Sequence, residues 1–406
     1  MKILQVSHYH HIRGGSDAVY LATSQMLERA GHTVIPFCMD HPDNQDTPWA
    51  QYFPKGADTG APRLRDTAQY FYNGNARRQL KRLLDQVGPI DVAHLHIYHG
   101  KQTPAILPML RDSGIPILQS LHEYKLACPV YTMQRGNQPC DRCLTGGPIH
   151  CVKNRCKDGS LVKSTIMAAE FLASRMLGDV RLVDRFLCVS EFQRQQMQRA
   201  GISADKLFTL HNFVAPAGTT PDPTHDNYLL YFGRLEKLKG LSTLLSALKN
   251  SNQHLLIAGD GAWRDPMLDR IQDMPNVDYL GFCSGPKLQR LIRRAKAVVV
   301  PSEWYENCPM SVLEAFANGR PVIGARIGGI PELIADGQNG FLFTPGNSGE
   351  LRQCFGRLEV ADFSKLSGHA STIAAQRFSA DKYETALIDH YAALQKPRSD
   401  LVVQPA

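Results

Sequence analysis

No run of apolar residues in this chain of 406 approaches the roughly 18 needed to cross a bilayer. The stretch after Met1 is a short apolar run broken by Gln5, which reads as a buried strand rather than a secretory signal. The expectation is a cytoplasmic protein. The net charge of +7 is too small an excess to argue for nucleic acid. Helix-turn-helix, zinc-finger and aromatic-basic patterns are lacking as well. The glycine-rich stretches miss the spacing G-x-G-x-x-G and its ribose-binding acid, which disfavours hydride transfer. No Asp-x-Asp pair sits where a catalytic metal would be needed. What is left is an ordinary globular composition, 43% hydrophobic and 20% charged, long enough for two or three domains.

Short β-rich runs alternate with helical patterns. In the first half the runs are Ile3–Val6, Thr33–Phe37, Val92–Leu95, Ile115–Gln119 and Phe186–Val189, with helices expected near 16–30, 75–86, 103–112, 160–183 and 191–200. The pattern restarts at Tyr228–Phe232, His254–Ala258, Ala297–Val300 and Pro321–Ala325. Such alternation implies parallel sheets with right-handed crossovers. The fold class is therefore α/β, with two Rossmann-like domains whose parallel sheets face a central cleft. The first domain spans 1–214 and carries a cysteine-rich insertion at 126–160. A linker rich in Pro, Gly, Thr and Asp spans 215–227, and the second domain spans 228–378. A helix follows at 379–394, then a tail at 395–406. Residues 41–74 read as a long excursion on the acceptor side.

The most informative stretch is 299–340. Glu306 and Glu314 stand there with seven residues between them, after a strand and around the start of a helix at Pro309. Open α/β sheets bind ligands at the carboxyl ends of their strands. The N–H groups of Met310 and Ser311 would face the same crevice and attract an anion. Carboxylates for sugar hydroxyls beside donors for phosphate suggest a nucleotide-sugar site. Arg234 and Lys239 flank the turn Gly233–Gly240 and could neutralise a diphosphate leaving group, the alternative being two solvated cations. Gly14 and Gly15 follow the first strand and permit close approach to a ligand, or form a tight turn capped by Ser16. His122 lies just past a strand and could take part at the reacting carbon. His8, His10 and His11 read as loop residues rather than metal ligands.

Cys128, Cys140, Cys143, Cys151 and Cys156 cluster in 29 residues. The spacing Cys140-x2-Cys143-x7-Cys151-x4-Cys156 suits a structural zinc, with reduced, packed cysteines as the alternative. On a helical pattern, Arg77, Arg78, Lys81 and Arg82 oppose Leu80, Leu83 and Leu84. That helix reads as a surface helix with its leucines in the core, or as a contact for an anionic membrane.

The motifs Arg13-Gly14-Gly15, Gly233-Arg234…Lys239-Gly240, Gly259-Asp260-Gly261 and Glu306-x7-Glu314 resemble, in that order, the retaining glycosyltransferases of family four, which have the GT-B fold. The likeness runs from Ile3 to about Leu394. The stretch His122–Pro129 followed by the cysteines resembles a bacterial subgroup of surface-polysaccharide synthesis. The resemblance implies that Glu306 contacts the donor sugar, Glu314 the ribose, and Arg234 and Lys239 the diphosphate. It implies that Gly14, Gly15, Gly233, Gly259 and Asp260 line the donor site, and that Asn307, Cys308, Met310 and Ser311 do so through backbone groups. His122 would stand by the reacting carbon. The donor would be a UDP-, GDP- or ADP-sugar and the acceptor a glycan or polyprenyl-linked glycan. No cofactor is implied for catalysis. Asn307 and Glu123 depart from the family's frequent Gly and Asp. A front-face step and a short-lived covalent intermediate both stay open. A nucleotide-sugar epimerase and a non-catalytic scaffold built on the cysteine module are the rival readings.

Overall fold

The computed structural model describes residues 1–56, 64–136, 138–214 and 224–395. Of the expected linker, 215–223 lie outside the described residues, as does the tail beyond Gln395. Two parallel six-stranded sheets carry the fold. The first comprises Lys2–Val6, Thr33–Phe37, Val92–Leu95, Ile117–Leu121, Arg185–Cys188 and Leu207–Thr209. Across the sheet these run second, first, third, fourth, fifth, sixth. The other comprises Tyr228–Phe232, His254–Ala258, Val277–Tyr279, Ala297–Val300, Val322–Ala325 and Gly340–Phe343. Its order is third, second, first, fourth, fifth, sixth.

Both sheets reverse their strand order beside their own first strand. Ile3 pairs with Val34 on one side and Val92 on the other. Leu229 likewise pairs with Leu255 and Ala297. A reversal of this kind opens a crevice at the carboxyl ends of the strands. The strands are buried on both faces, so they read as unbroken apolar runs.

Some boundaries differ from those expected. The fourth strand begins at Ile117 rather than Ile115, because Pro116 has no N–H to give the ladder. The helix expected over 160–183 ends at Met176, and Gly178 follows in the left-handed region at φ 91°. The first helix is Gly15–Arg29, with Gly14 at its N-cap, so Ser16 lies inside the helix and does not cap it. The basic helix is Gly74–Val87. It buries Ala76, Leu80 and Leu83 and leaves Arg77, Arg78, Lys81 and Arg82 exposed. Among the described residues no helix is long and apolar enough to cross a membrane.

The two halves are joined by more than the chain. The helix Ala380–Gln395 buries Tyr383, Leu387 and Tyr391 against Ile3, Val92, Leu118 and Leu187 of the first sheet and Val19 of the helix Gly15–Arg29. The Tyr391 hydroxyl and His94 Nδ1 are 2.6 Å apart. Glu332 of the second half caps the helix Glu191–Arg199 of the first. Its carboxylate accepts from the N–H groups of Glu191 at 2.7 Å and Phe192 at 2.6 Å, and lies 3.2 Å from His211 Nε2. A carboxylate at a helix N-terminus satisfies orphan donors and meets the positive end of the dipole. Replacing Glu332 by Ala should therefore cost about 1–2 kcal/mol. The loss should appear as a lower Tm and a more open solution-scattering profile. An unchanged Tm and profile would mean that water serves these donors equally well.

Candidate active site

The carboxyl ends of the two sheets meet, and the residues expected at the site come together there in two groups. The first group is in the second half. The chain leaves strand Tyr228–Phe232 through Gly233 and turns back at Gly240, whose φ is 74°. A Cβ at Gly240 would stand 1.7 Å from the Pro301 carbonyl oxygen, so only glycine allows this approach. The approach sets Lys239 beside the loop that follows strand Ala297–Val300. Lys239 Nζ lies 2.6 Å from Glu306 Oε1 and 5.0 Å from the centre of the Trp304 ring. The Ser302 hydroxyl donates to the same carboxylate oxygen at 2.6 Å.

Glu306 is buried. Burial pushes its carboxyl upward, but the charge of Lys239, the hydrogen bond from that ammonium and the Ser302 hydroxyl outweigh burial and hold it below the usual range. The loop itself is pinned by Gly328-Gly329. The Gly329 N–H donates to the Glu306 carbonyl at 2.7 Å, and a Cβ on Gly329 would come within 1.9 Å of the Asn307 carbonyl oxygen. The sequence reading passed over this glycine pair and Ser302. A doubled glycine next to a site loop was the available signal.

Glu314 sits in the helix Met310–Ala317, one turn in. Among the described residues it has no counter-charge of the kind Glu306 has, and burial pushes its carboxyl up to about 7. The first-turn N–H groups of Met310 and Ser311 have no acceptor within their helix. Cys308 departs from expectation. Its side chain is in the core, and its carbonyl accepts from Asn212 Nδ2 at 3.2 Å, so that group is already engaged.

The second group comes from the first half. His122 lies one residue beyond strand Ile117–Leu121. Its Nε2 is 2.9 Å from His96 Nδ1, which leaves Nδ1 as the nitrogen for a ligand. Burial pushes His122 down to about 4, so it is a neutral ring at physiological pH. His96, which sequence reasoning did not single out, is 2% exposed and holds the orientation of His122. Two contacts join the groups. Asn307 Nδ2 donates to the His122 carbonyl at 3.0 Å, and a Cβ on Gly15 would lie 3.6 Å from Met310 Cγ. Gly14 is extended, and a Cβ there would meet nothing within 4 Å.

Three expected residues are not brought into this cluster. Arg234 is 60% exposed and pairs with Glu236 at 2.8 Å. Asp260 is exposed and accepts from the Gly261 N–H at 2.8 Å. Gly259 has a packing reason of its own, since a Cβ there would stand 1.9 Å from the Gly233 carbonyl oxygen. The three amino-terminal histidines also separate. His8 Nε2 meets the His99 carbonyl oxygen at 2.8 Å, and His10 Nδ1 meets the Tyr20 hydroxyl at 2.8 Å. His11 has partners the sequence did not suggest. With His41 and Asp43 it forms a half-exposed group whose ligand atoms lie within 4.8 Å of one another.

In an NMR titration the His122 ring should stay neutral to about pH 4, against an ordinary value of 6.5. In His96→Ala the midpoint should move toward the ordinary value. A wild-type midpoint near the ordinary value would refute the buried, histidine-held geometry.

Comparison with known proteins bears on these groups. The description Glycosyltransferase Family 4 matches residues 13–217, and Glycosyl transferases group 1 matches 219–358. An uncharacterised glycosyltransferase of Methanocaldococcus jannaschii is 36% identical over 143 residues, which is 34% of this chain and 36% of that protein. The chain thus spans about a third of the length of this curated relative. Sucrose-phosphate synthase from Thermosynechococcus elongatus has a similar structure, with a TM-score of 0.72 at 16% identity over 97% of this chain and 98% of that one. HepE of Anabaena in complex with UDP-glucose gives a TM-score of 0.62 at 19% identity, over 97% and 100% of the two chains. With one family description covering half of its length and the two sheets facing as described, the chain belongs to glycosyltransferase family 4, with the GT-B fold.

Proposed function

We propose that this protein is a retaining glycosyltransferase. It would move a sugar from a nucleoside-diphosphate sugar to a hydroxyl of a glycan or polyprenyl-linked glycan, in the synthesis of a cell-surface polysaccharide. The observation that carries the reading is the Lys239–Glu306 contact at the carboxyl ends of two strands, opposite His122 of the other half. A half-buried cation beside a buried carboxylate suits a donor with a charged end and a hydroxyl-rich end. HepE, with its UDP-glucose complex, lends support to a donor of this class.

The chemistry follows from these side chains. Without donor, Lys239 and Glu306 satisfy each other. A diphosphate carries more charge than a carboxylate and draws the ammonium to itself. Glu306 is then free to accept from sugar hydroxyls. As the bond to the anomeric carbon breaks, negative charge grows on the leaving phosphate, and Lys239 stabilises it together with the Met310 and Ser311 N–H groups. Arg234 could join by leaving Glu236. The neutral His122 offers a hydrogen bond and no competing charge. The closed interface limits the access of water to the reacting carbon. The exposed basic face of Gly74–Val87 would suit a peripheral contact with an anionic membrane that presents a lipid-linked acceptor.

Incubation with UDP-, GDP- and ADP-sugars and glycan acceptors tests the reading. Lys239→Ala should lower kcat/KM by about 10²–10³-fold, the usual loss for one charge-stabilising donor. Conversion of the nucleotide sugar to another nucleotide sugar without acceptor would instead favour an epimerase.

Glu314 gives a separate test. Burial raises it from 4.5 to about 7, so it favours the folded state below about pH 4.5 and loses that contribution as pH rises through about 7. Ribose hydroxyls donate to the ionised form and would pull the value down. Nucleotide binding at about pH 6 should therefore release protons, seen by calorimetry in buffers of different ionisation enthalpy, and Glu314→Gln should abolish the release. Equal proton release in that variant would remove Glu314 from the ribose site.

A further inference from the structure

The segment between Leu126 and Ser160 has little regular structure of its own. It holds the two-residue strands Gln134–Arg135 and Gln138–Pro139 and the five-residue helices Arg142–Gly146 and Ile149–Lys153. Non-glycine residues with left-handed backbone concentrate here: Tyr131 at φ 56°, Met133 at 49°, Arg155 at 48° and Asp158 at 53°. Such conformations persist only where the surroundings over-determine them. The buried side chains Val130, Met133 and Leu144 anchor the lobe on the core of the first half.

All five cysteines of the segment face one cavity of about 10 Å³. That is room for one water-sized body. None of the five is in a disulfide. Cys128 and Cys151 are buried in the core of the first half, and Cys143 and Cys156 pack against that core. As a thiol, Cys151 donates to the Ser164 carbonyl at 3.7 Å. Cys140 is half-buried like Cys143 and Cys156, but unlike the other four it lies outside that core cluster.

We propose that this lobe holds a single zinc ion, bound by Cys128, Cys143, Cys151 and Cys156. This ligand set replaces Cys140 of the spacing-based set with Cys128, which the structure brings in from a separate stretch of chain. Among the described residues no three of these sulphurs lie within 4.8 Å of one another. Tetrahedral zinc holds its sulphurs about 3.8 Å apart, given a Zn–S distance of about 2.3 Å. Binding therefore draws the turns inward, and short turns and helices can follow.

The helix Glu191–Arg199 lies between the lobe and the candidate site. Its Arg199 binds Asp141 of the lobe at 2.7 Å, and the ring of its Phe192 is 4.8 Å from that of Tyr305, which precedes Glu306. The inference stands whether or not the proposed reaction is right, because its primary readouts are metal content and stability.

The test uses the full chain purified in the presence of zinc, followed by metal analysis. About one zinc per chain is expected. Removal with a chelator should lower Tm by about 5 °C or more, and zinc alone should restore it. Cys128→Ser and Cys143→Ser should lose the metal. Cys140→Ser and His11→Ala should keep it. Where a serine variant fails to fold, thiol titration of the wild-type chain decides: four further thiols should react once the chelator is added. Absence of retained zinc, a Cys151–Cys156 disulfide found by mass spectrometry, loss of zinc in Cys140→Ser with retention in Cys128→Ser, or loss of zinc in His11→Ala would each overturn the assignment.

Discussion

A buried carboxylate must have a counter-charge within reach, and the pairing of Glu306 with Lys239 meets that need. Much of the local geometry follows from it. The tight contact of Gly240 with Pro301 brings the lysine's turn to the acid's loop. Gly328 and Gly329 press that loop from the other side, and Ser302 fills a second position on the same oxygen. None of these glycines could carry a side chain without moving the pair apart. Breaking the pair without a replacement would leave an ion stranded in a medium that solvates it poorly.

Glu314, eight positions later, lives under the opposite condition. It is half-buried with no such partner among the described residues, so its ionised form is disfavoured. The two acids that look alike in sequence therefore enter any binding event in different states. One is charged and already engaged. The other keeps its proton more readily than an ordinary carboxyl. The difference comes from tertiary packing alone.

That contrast also shows what could be read in advance. Strands buried on both faces announce themselves as apolar runs, and so did most of both sheets. The strands that went unnoticed are all at sheet edges: Leu207–Thr209 and Val277–Tyr279 have three residues each and are only partly buried, while Gly340–Phe343 is apolar and buried and its run could have been read. Residues just past strand ends, such as Glu306, Lys239 and His122, were visible because topology fixes where a strand's carboxyl end lies. Arg234 and Asp260 share that placement, yet in the structure they turn to solvent and to local partners. His96 behind His122, Asn307 reaching across to the His122 carbonyl, and Glu332 capping a helix of the other half were invisible. Each depends on two segments more than 20 residues apart, and no local pattern records such a meeting.

The helix Ala380–Gln395 has a consequence for how the molecule is made. Tyr383, Leu387 and Tyr391 complete the core behind Ile3, Val92 and Leu118. The half that leaves the ribosome first is thus finished last. Its apolar face must wait, uncovered, while the other half is synthesised and folds. The second half, whose sheet runs from Tyr228 to Phe343, has no such debt to later sequence in that sheet and can close as soon as it emerges. Order of synthesis and order of completion run in opposite directions for these two sheets, and the helix Ala380–Gln395 is the piece that ends the delay.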